Sequence, residues 1–214
     1  VLATHLTEVV RTHAHELIGR QEGHNLLENF RKSHPKVVDE LVPNHMTLGA
    51  VVKVLQNLLK EQVSIRDLLT VFETLGDEAP NTKDIDVLTE AVRRRLARSI
   101  TRKYTDDQGR VSVISLSPHY EELISNSLLQ TETGVQLVMD PRQANEMINE
   151  IARVIDAHPE FAGQPVLLTS PTIRRHVRKL TERFIPQLMV ISHNELTSDA
   201  SVSSIGTVEM RYAG

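Results

Sequence analysis

The chain has 214 residues, 40% of them hydrophobic and 24% charged, which is enough to bury one or two compact cores. A net charge of −4 argues against general affinity for nucleic acid or anionic lipid, and the absence of cysteine excludes disulfides, thiolate metal sites and cysteine nucleophiles. No apolar run approaches the roughly 18–20 residues that span a bilayer, and aromatics at 3% leave few stacking platforms for bases or sugars.

The opening at Val1, already inside an amphipathic pattern, reads as part of a longer protein. From His5 to Arg20 the residues Leu6, Val9, Val10, Ala14, Leu17 and Ile18 recur at helical spacing, giving a face that must pack on something. Gly23 interrupts the pattern. A second helix around Leu26, Leu27 and Phe30 ends before Pro35, and a third around Val37, Val38 and Leu41 is closed by Pro43. Thr47 opens "TLGAVVKVLQNLLKEQ", with a broad apolar stripe from Leu48 to Leu59. In "SIRDLLTVFETLG", Ser64 and Asp67 have capping-box spacing and Gly76 stands where a left-handed C-terminal cap is expected.

After the turn-rich "DEAPNT" the grammar changes. One helix is expected from Ile85 to Tyr104, with Leu88, Val92, Leu96 and Ile100 inside and Arg93, Arg94, Arg95, Arg98 and Arg102 around the rest. Beyond it, strands "VSVISL", "VQLVM", "PVLLT", "LMVIS" and "VSSIGTV" alternate with helices over 118–128, 141–157 and 171–184, which implies a small, partly parallel mixed sheet. The expected fold class is therefore α+β: an all-helical part, then an α/β part, with a junction near residue 80.

Each candidate for chemistry has a plainer structural reading. "PVLLTSPTIRR" places Ser170 and Pro171 at a helix start, where free N–H groups favour an anion. It has no glycine to let a phosphate approach, and Ser117-Pro118 and Asp140-Pro141 repeat the same device, which reads as capping. Arg174/Arg178 and Arg175/Lys179 read as a solvated flank beside Ile173, Val177, Leu180 and Phe184. In "HAHE", His13 and His15 would lie about 200° apart on a helix and could not share one ion. "RRRLAR" is balanced by Asp84, Asp86 and Glu90 and lacks interleaved aromatics, so it reads as a charged helix face. No serine sits in a nucleophile elbow, and Glu121 and Glu122 are helix neighbours that point apart. The residues alone thus favour binding over catalysis, with no catalytic, cofactor-binding or metal-ligating group assigned.

Several strings together carry a resemblance: "ATHL…ELIGRQE", "HPKVVDELVPNHMTLGAVVKVLQNLLKEQVSIRDLLTVFETL", "KDIDVLTEAVRRRLARSI", "GQPVLLTSPTIRRHVRKLTERFIPQLMVISHNEL" and "SIGTV". In this order they resemble the C-terminal cytoplasmic domain of the type III export gate (the FlhA family, shared by flagella and virulence injectisomes), and "KVLQNLL" and "GQPVLLTSP" are similar to the flagellar branch. The final "RYAG" falls outside that pattern. The resemblance implies an inner-membrane protein whose cytoplasmic portion forms a nine-membered ring beside other export gate membrane proteins. That portion docks export substrates, their chaperones and components of the export ATPase complex. It implies no enzyme activity, no cofactor and no nucleic acid. Residues 1–27 would be the terminal helical piece of the first subdomain and a linker, 28–82 an all-helical subdomain and 83–214 an α/β subdomain. Of the family's chaperone pocket, Thr4 in "ATHL" would remain. An injectisome gate component is the alternative, and an anion- or nucleotide-binding enzyme using the Ser170-Pro171 helix start is a more distant one.

Overall fold

The computed structural model describes residues 2–161 and 164–210, so the "RYAG" ending lies outside the described residues. In the first half, α1 (Leu2–His13) passes through a 3₁₀ turn at Ala14–Leu17 to α2 (Arg20–Arg31), α3 (Pro35–Asp39), α4 (Leu48–Lys60), α5 (Leu68–Glu78) and α6 (Ile85–Arg95). The Thr47 hydroxyl accepts the Ala50 N–H at 3.1 Å and starts α4, as the sequence suggests. That helix buries Val51, Val52, Val54, Leu55 and Leu58 and packs against α2, the 3₁₀ turn and α6, while α6, with Leu88 and Val92 buried, packs in turn against α5, which buries Val71, Phe72 and Leu75. Phe30 meets Phe72 edge-on, with ring centroids 5.2 Å apart.

Several local expectations are corrected here. Asp67, rather than Ser64, caps α5, accepting the Thr70 N–H at 3.1 Å. Gly76 lies inside α5, which runs on to Glu78 without a left-handed residue. Gly23 does not interrupt a helix; it lies buried within α2. The expected helix over 85–104 is two, because Leu96 ends α6 (φ −87°, ψ 14°) and α7 (Ala97–Tyr104) follows. Since α6 packs on α4 and α5, it belongs by its contacts to a compact helical unit, Val1–Ile100.

The second unit, Thr101–Gly214, is built on a four-stranded parallel sheet in the order β5-β4-β1-β6. Its elements in chain order are β1 (Arg110–Leu116), α8 (Pro118–Asn126), β2 (Leu128–Thr131), β3 (Gly134–Leu137), α9 (Pro141–Asp156), β4 (Val166–Thr169), α10 (Arg174–Thr181), β5 (Met189–Ser192) and β6 (Ser201–Val208). Two of the three Pro-started helices have the expected cap: Ser117 accepts the Tyr120 N–H, and Asp140 accepts those of Arg142 and Gln143. "VQLVM" does not join the main sheet. Its first part is β3, paired antiparallel with β2 in a hairpin turned at Gly134, whose φ of 116° requires glycine. "PVLLT" and "LMVIS" lie side by side and parallel, with Val166 opposite Met189. The core joins Ile114, Tyr120, Ile124, Met147, Ile151, Leu167, Val177 and Val190.

Two helical glycines separate packing from propensity. A Cβ at Gly23 would stand 2.4 Å from Cγ2 of Val52, a side chain with little rotamer freedom in a helix, whereas one at Gly76 would meet nothing within 4 Å. Urea denaturation should show Gly76→Ala stabilising by about 0.5–1 kcal/mol. Gly23→Ala should instead destabilise by about 1–3 kcal/mol, as overpacking does; equal effects would refute the close approach of α2 to α4.

Candidate functional site

The strand of "PVLLTSPTIRR" is as expected, with Val166 to Thr169 all buried in β4. Its helix start is not. Ser170 accepts no capping bond: Pro171 to Ile173 form a turn closed by the Ile173 N–H on the Ser170 carbonyl at 3.3 Å, and α10 begins only at Arg174. The Ser170 N–H donates at 2.9 Å to Oε1 of Glu121 on α8. A carboxylate of the chain itself therefore holds the donor that an external anion would need.

The basic residues that follow are not a solvated flank either. Arg174 is 1% exposed and Arg178 is 7% exposed. Nη1 of Arg174 donates to the Val190 carbonyl at 3.0 Å, and Nη1 of Arg178 donates to that of Leu188 at 2.6 Å. Four helical residues advance about 6 Å and two strand residues about 6.6 Å, so arginines at i and i+4 match alternate carbonyls of the neighbouring strand. β5 is an edge strand whose Met189 N–H bonds toward Pro165 on the β4 side, so by alternation Leu188 and Val190 turn their carbonyls to the other side. Glu195, 2% exposed by side chain, completes the arrangement: Oε1 lies 3.9 Å from Arg174 Nε and Oε2 accepts the Ser192 N–H at 2.8 Å. Thr101 donates to the Glu195 carbonyl and accepts from the Thr197 N–H. Ile173 and Val177 are buried as expected, but Phe184 is 62% exposed, because α10 ends at Thr181.

His13 and His15 lie where α1 gives way to the 3₁₀ turn, and both approach the Glu16 carboxylate, at 2.9 and 3.8 Å. The hydrogen bond with His13 holds the Glu16 carboxyl below its ordinary value. Among the described residues no three His, Asp or Glu side chains could hold a metal ion. In "RRRLAR", Arg93 departs from the expected charged face: it is 2% exposed and lies 3.3 Å from Glu61, while Arg94 and Arg95 approach Glu78 and Asp77 of α5 at 3.6 and 3.8 Å. These partners lie across helices, which helical spacing along α6 could not reveal.

Thr4 is exposed on α1. On the same helix and the turn after it, Leu6, Val9, Val10 and Leu17 are between 43% and 64% exposed, so the apolar face read from the sequence is uncovered by the described residues.

Solved structures share this architecture. The CdsV protein of Chlamydia pneumoniae superposes with a TM-score of 0.90 at 33% identity, over 97% of this chain and 60% of that one. The nonameric SctV-C of EPEC gives 0.84 at 32% identity, over 95% and 61%. A helical unit followed by this parallel α/β unit thus defines the class, the C-terminal units of type III secretion proteins of the SctV kind. The chain belongs to the FHIPEP family, whose model matches residues 1–201. Flagellar biosynthesis protein FlhA of Bacillus subtilis is 40% identical over 98% of this chain, and that of Escherichia coli is 36% identical over 97%. The chain spans about a third of these relatives, 31% and 29% of their lengths.

If Arg174 and Arg178 are structural, Arg174→Met should lower stability by about 3–5 kcal/mol in chemical denaturation, by leaving Glu195 buried without its partner. Inorganic phosphate should give no saturable NMR shifts at Ser170, Arg174 or Arg175. A stable variant, together with phosphate binding in the parent, would restore the anion-site reading.

Proposed function

We propose that this chain is a docking and ring-forming part of a bacterial flagellar protein-export gate, acting by binding rather than by catalysis. It receives export substrates with their chaperones and components of the export ATPase complex, at the cytoplasmic face of the inner membrane. The observation that carries this reading is the 40% identity to a flagellar FlhA, sustained over 210 residues. Ring formation is supported by the likeness to two nonameric assemblies, SctV-C of EPEC and the EscV cytosolic domain. Docking of a second protein is supported by the likeness, at a TM-score of 0.88, to CdsV in its complex with CdsO. The flagellar branch is favoured over an injectisome because CdsV reaches 33% identity.

On this reading residues 1–27 end a first subdomain, 28–82 are a helical subdomain, and 83–214 are an α/β subdomain. Thr4 is then a remnant of the chaperone pocket, on a helix whose apolar face has no cover among the described residues. No helix of the described residues is long and apolar enough to cross a membrane.

Pull-downs from native cytosol, run in parallel with this chain and with the complete cytoplasmic portion, test the assignment. Flagellar chaperones should be recovered by the complete portion; recovery of injectisome chaperones instead would reject the branch. By calorimetry this chain should bind a recovered chaperone at least about tenfold more weakly, a difference of roughly 1.4 kcal/mol. Equal affinity would remove the pocket from the surroundings of Thr4.

A further inference from the structure

Along α9, Glu146, Asn149, Glu150 and Arg153 fall at i, i+3, i+4 and i+7 and share one helix face. With Tyr120 of α8 and Glu209 just beyond β6 they line a cleft of about 300 Å³. Arg153 is committed to Glu150, meeting its two carboxylate oxygens at 2.9 and 2.5 Å. Glu146 and Glu209 have no ion pair among the described residues. Three carboxylates against one guanidinium leave the lining with two net negative charges.

A second observation is independent of the charge. Tyr120 is 2% exposed and its ring lies in the core of the unit, yet its hydroxyl has no hydrogen-bond partner among the described residues; its backbone N–H alone is bonded, to Ser117. The side chain is buried apart from what it shows to the cleft, so its unpartnered hydroxyl is open to a group that enters there. Burial first, then Glu146 and Glu150, push its phenol above the ordinary value and keep it protonated.

We propose that this cleft receives an arginine side chain presented by a partner protein, its guanidinium pairing with Glu146 and Glu209 and donating to the Tyr120 hydroxyl oxygen. A metal ion does not fit, because no three of the described acidic or histidine side chains converge on one point. A planar fork of five donors can reach separated acceptors as a compact ammonium cannot. A protein segment suits the mouth, where Glu146 and Asn149 are exposed and a main chain can pass while one side chain enters. This inference stands on the α/β unit alone and holds or fails independently of the export reading.

The test is an NMR titration of the 214-residue chain with acetyl-Gly-Arg-Gly-amide. Saturable shifts are expected at Tyr120, Glu146, Asn149 and Glu209, and none with the citrulline peptide, which has the same shape without the charge. Glu146→Gln with Glu209→Gln, both at exposed positions, should weaken binding at least about tenfold. Asn149→Arg, which places a guanidinium at the mouth, should abolish it. Tyr120→Phe should weaken it further than its effect on melting temperature explains. Equal shifts with citrulline, unchanged affinity in the double variant, or saturation of the same residues at lower concentrations of spermidine or Mg²⁺ would each overturn the proposal.

Discussion

The α/β unit depends on how its sheet ends at β5. An edge strand exposes carbonyls that must bond with something, and an unprotected edge recruits other strands. Here two arginines on α10 cap alternate carbonyls of the strand they pack against, and Glu195 supplies the counter-charge to Arg174 from the loop that leaves β5. Helix, strand and loop are thereby tied into one polar group beneath the apolar contacts of Ile173 and Val177. Guanidinium suits this task better than ammonium because it keeps its charge and spreads its donors in a plane. The same arrangement accounts for the absence of an anion site at "SPTIRR": Arg174 faces into the fold, and the Ser170 N–H belongs to Glu121.

What could be read from the sequence divides by the range of the interaction. Caps at Thr47, Ser117 and Asp140 were legible because acceptor and donor lie within three residues. The same reading failed at Ser170 because the chain turns once more after Pro171, closing the Ile173 N–H on the Ser170 carbonyl, so that α10 starts only at Arg174. It failed at Arg174 because a hydrophilic i, i+4 pair reads identically whether it faces water or a strand edge. Strand content was legible from apolar runs, and so was the presence of parallel pairing, since helices separate the strands. The hairpin of β2 and β3 was not, because Leu128 was read as the end of the preceding helix and the short segment to Thr131 has no apolar run to mark it as a strand.

Packing decides the role of glycine in the helical unit. Propensity treats every helical glycine as a defect, yet Gly23 is where α2 meets Val52 of α4, and Gly76 faces open space. The difference lies wholly in the neighbouring helix, so a single-sequence reading assigns both to breaks or caps. Cross-helix charges follow the same rule: Arg93 is buried beside Glu61 while the adjacent Arg94 and Arg95 stay at the surface.

Helical periodicity states a need for cover without naming what supplies it. The stripe on α4 and that on α1 read alike, yet Val51, Leu55 and Leu58 are buried on a helix that α2, the 3₁₀ turn and α6 pack against, whereas Leu6, Val9, Val10 and Leu17 remain open among the described residues. A few tens of Å² of apolar surface on each of four such side chains, at about 25 cal/mol per Å², amounts to several kcal/mol that a partner surface could recover. That gain is what makes a helix face useful for docking, whether the cover comes from the same polypeptide or another. The binding role proposed near Thr4 therefore rests on the uncovered face around it more than on the threonine hydroxyl, which alone would contribute about one hydrogen bond.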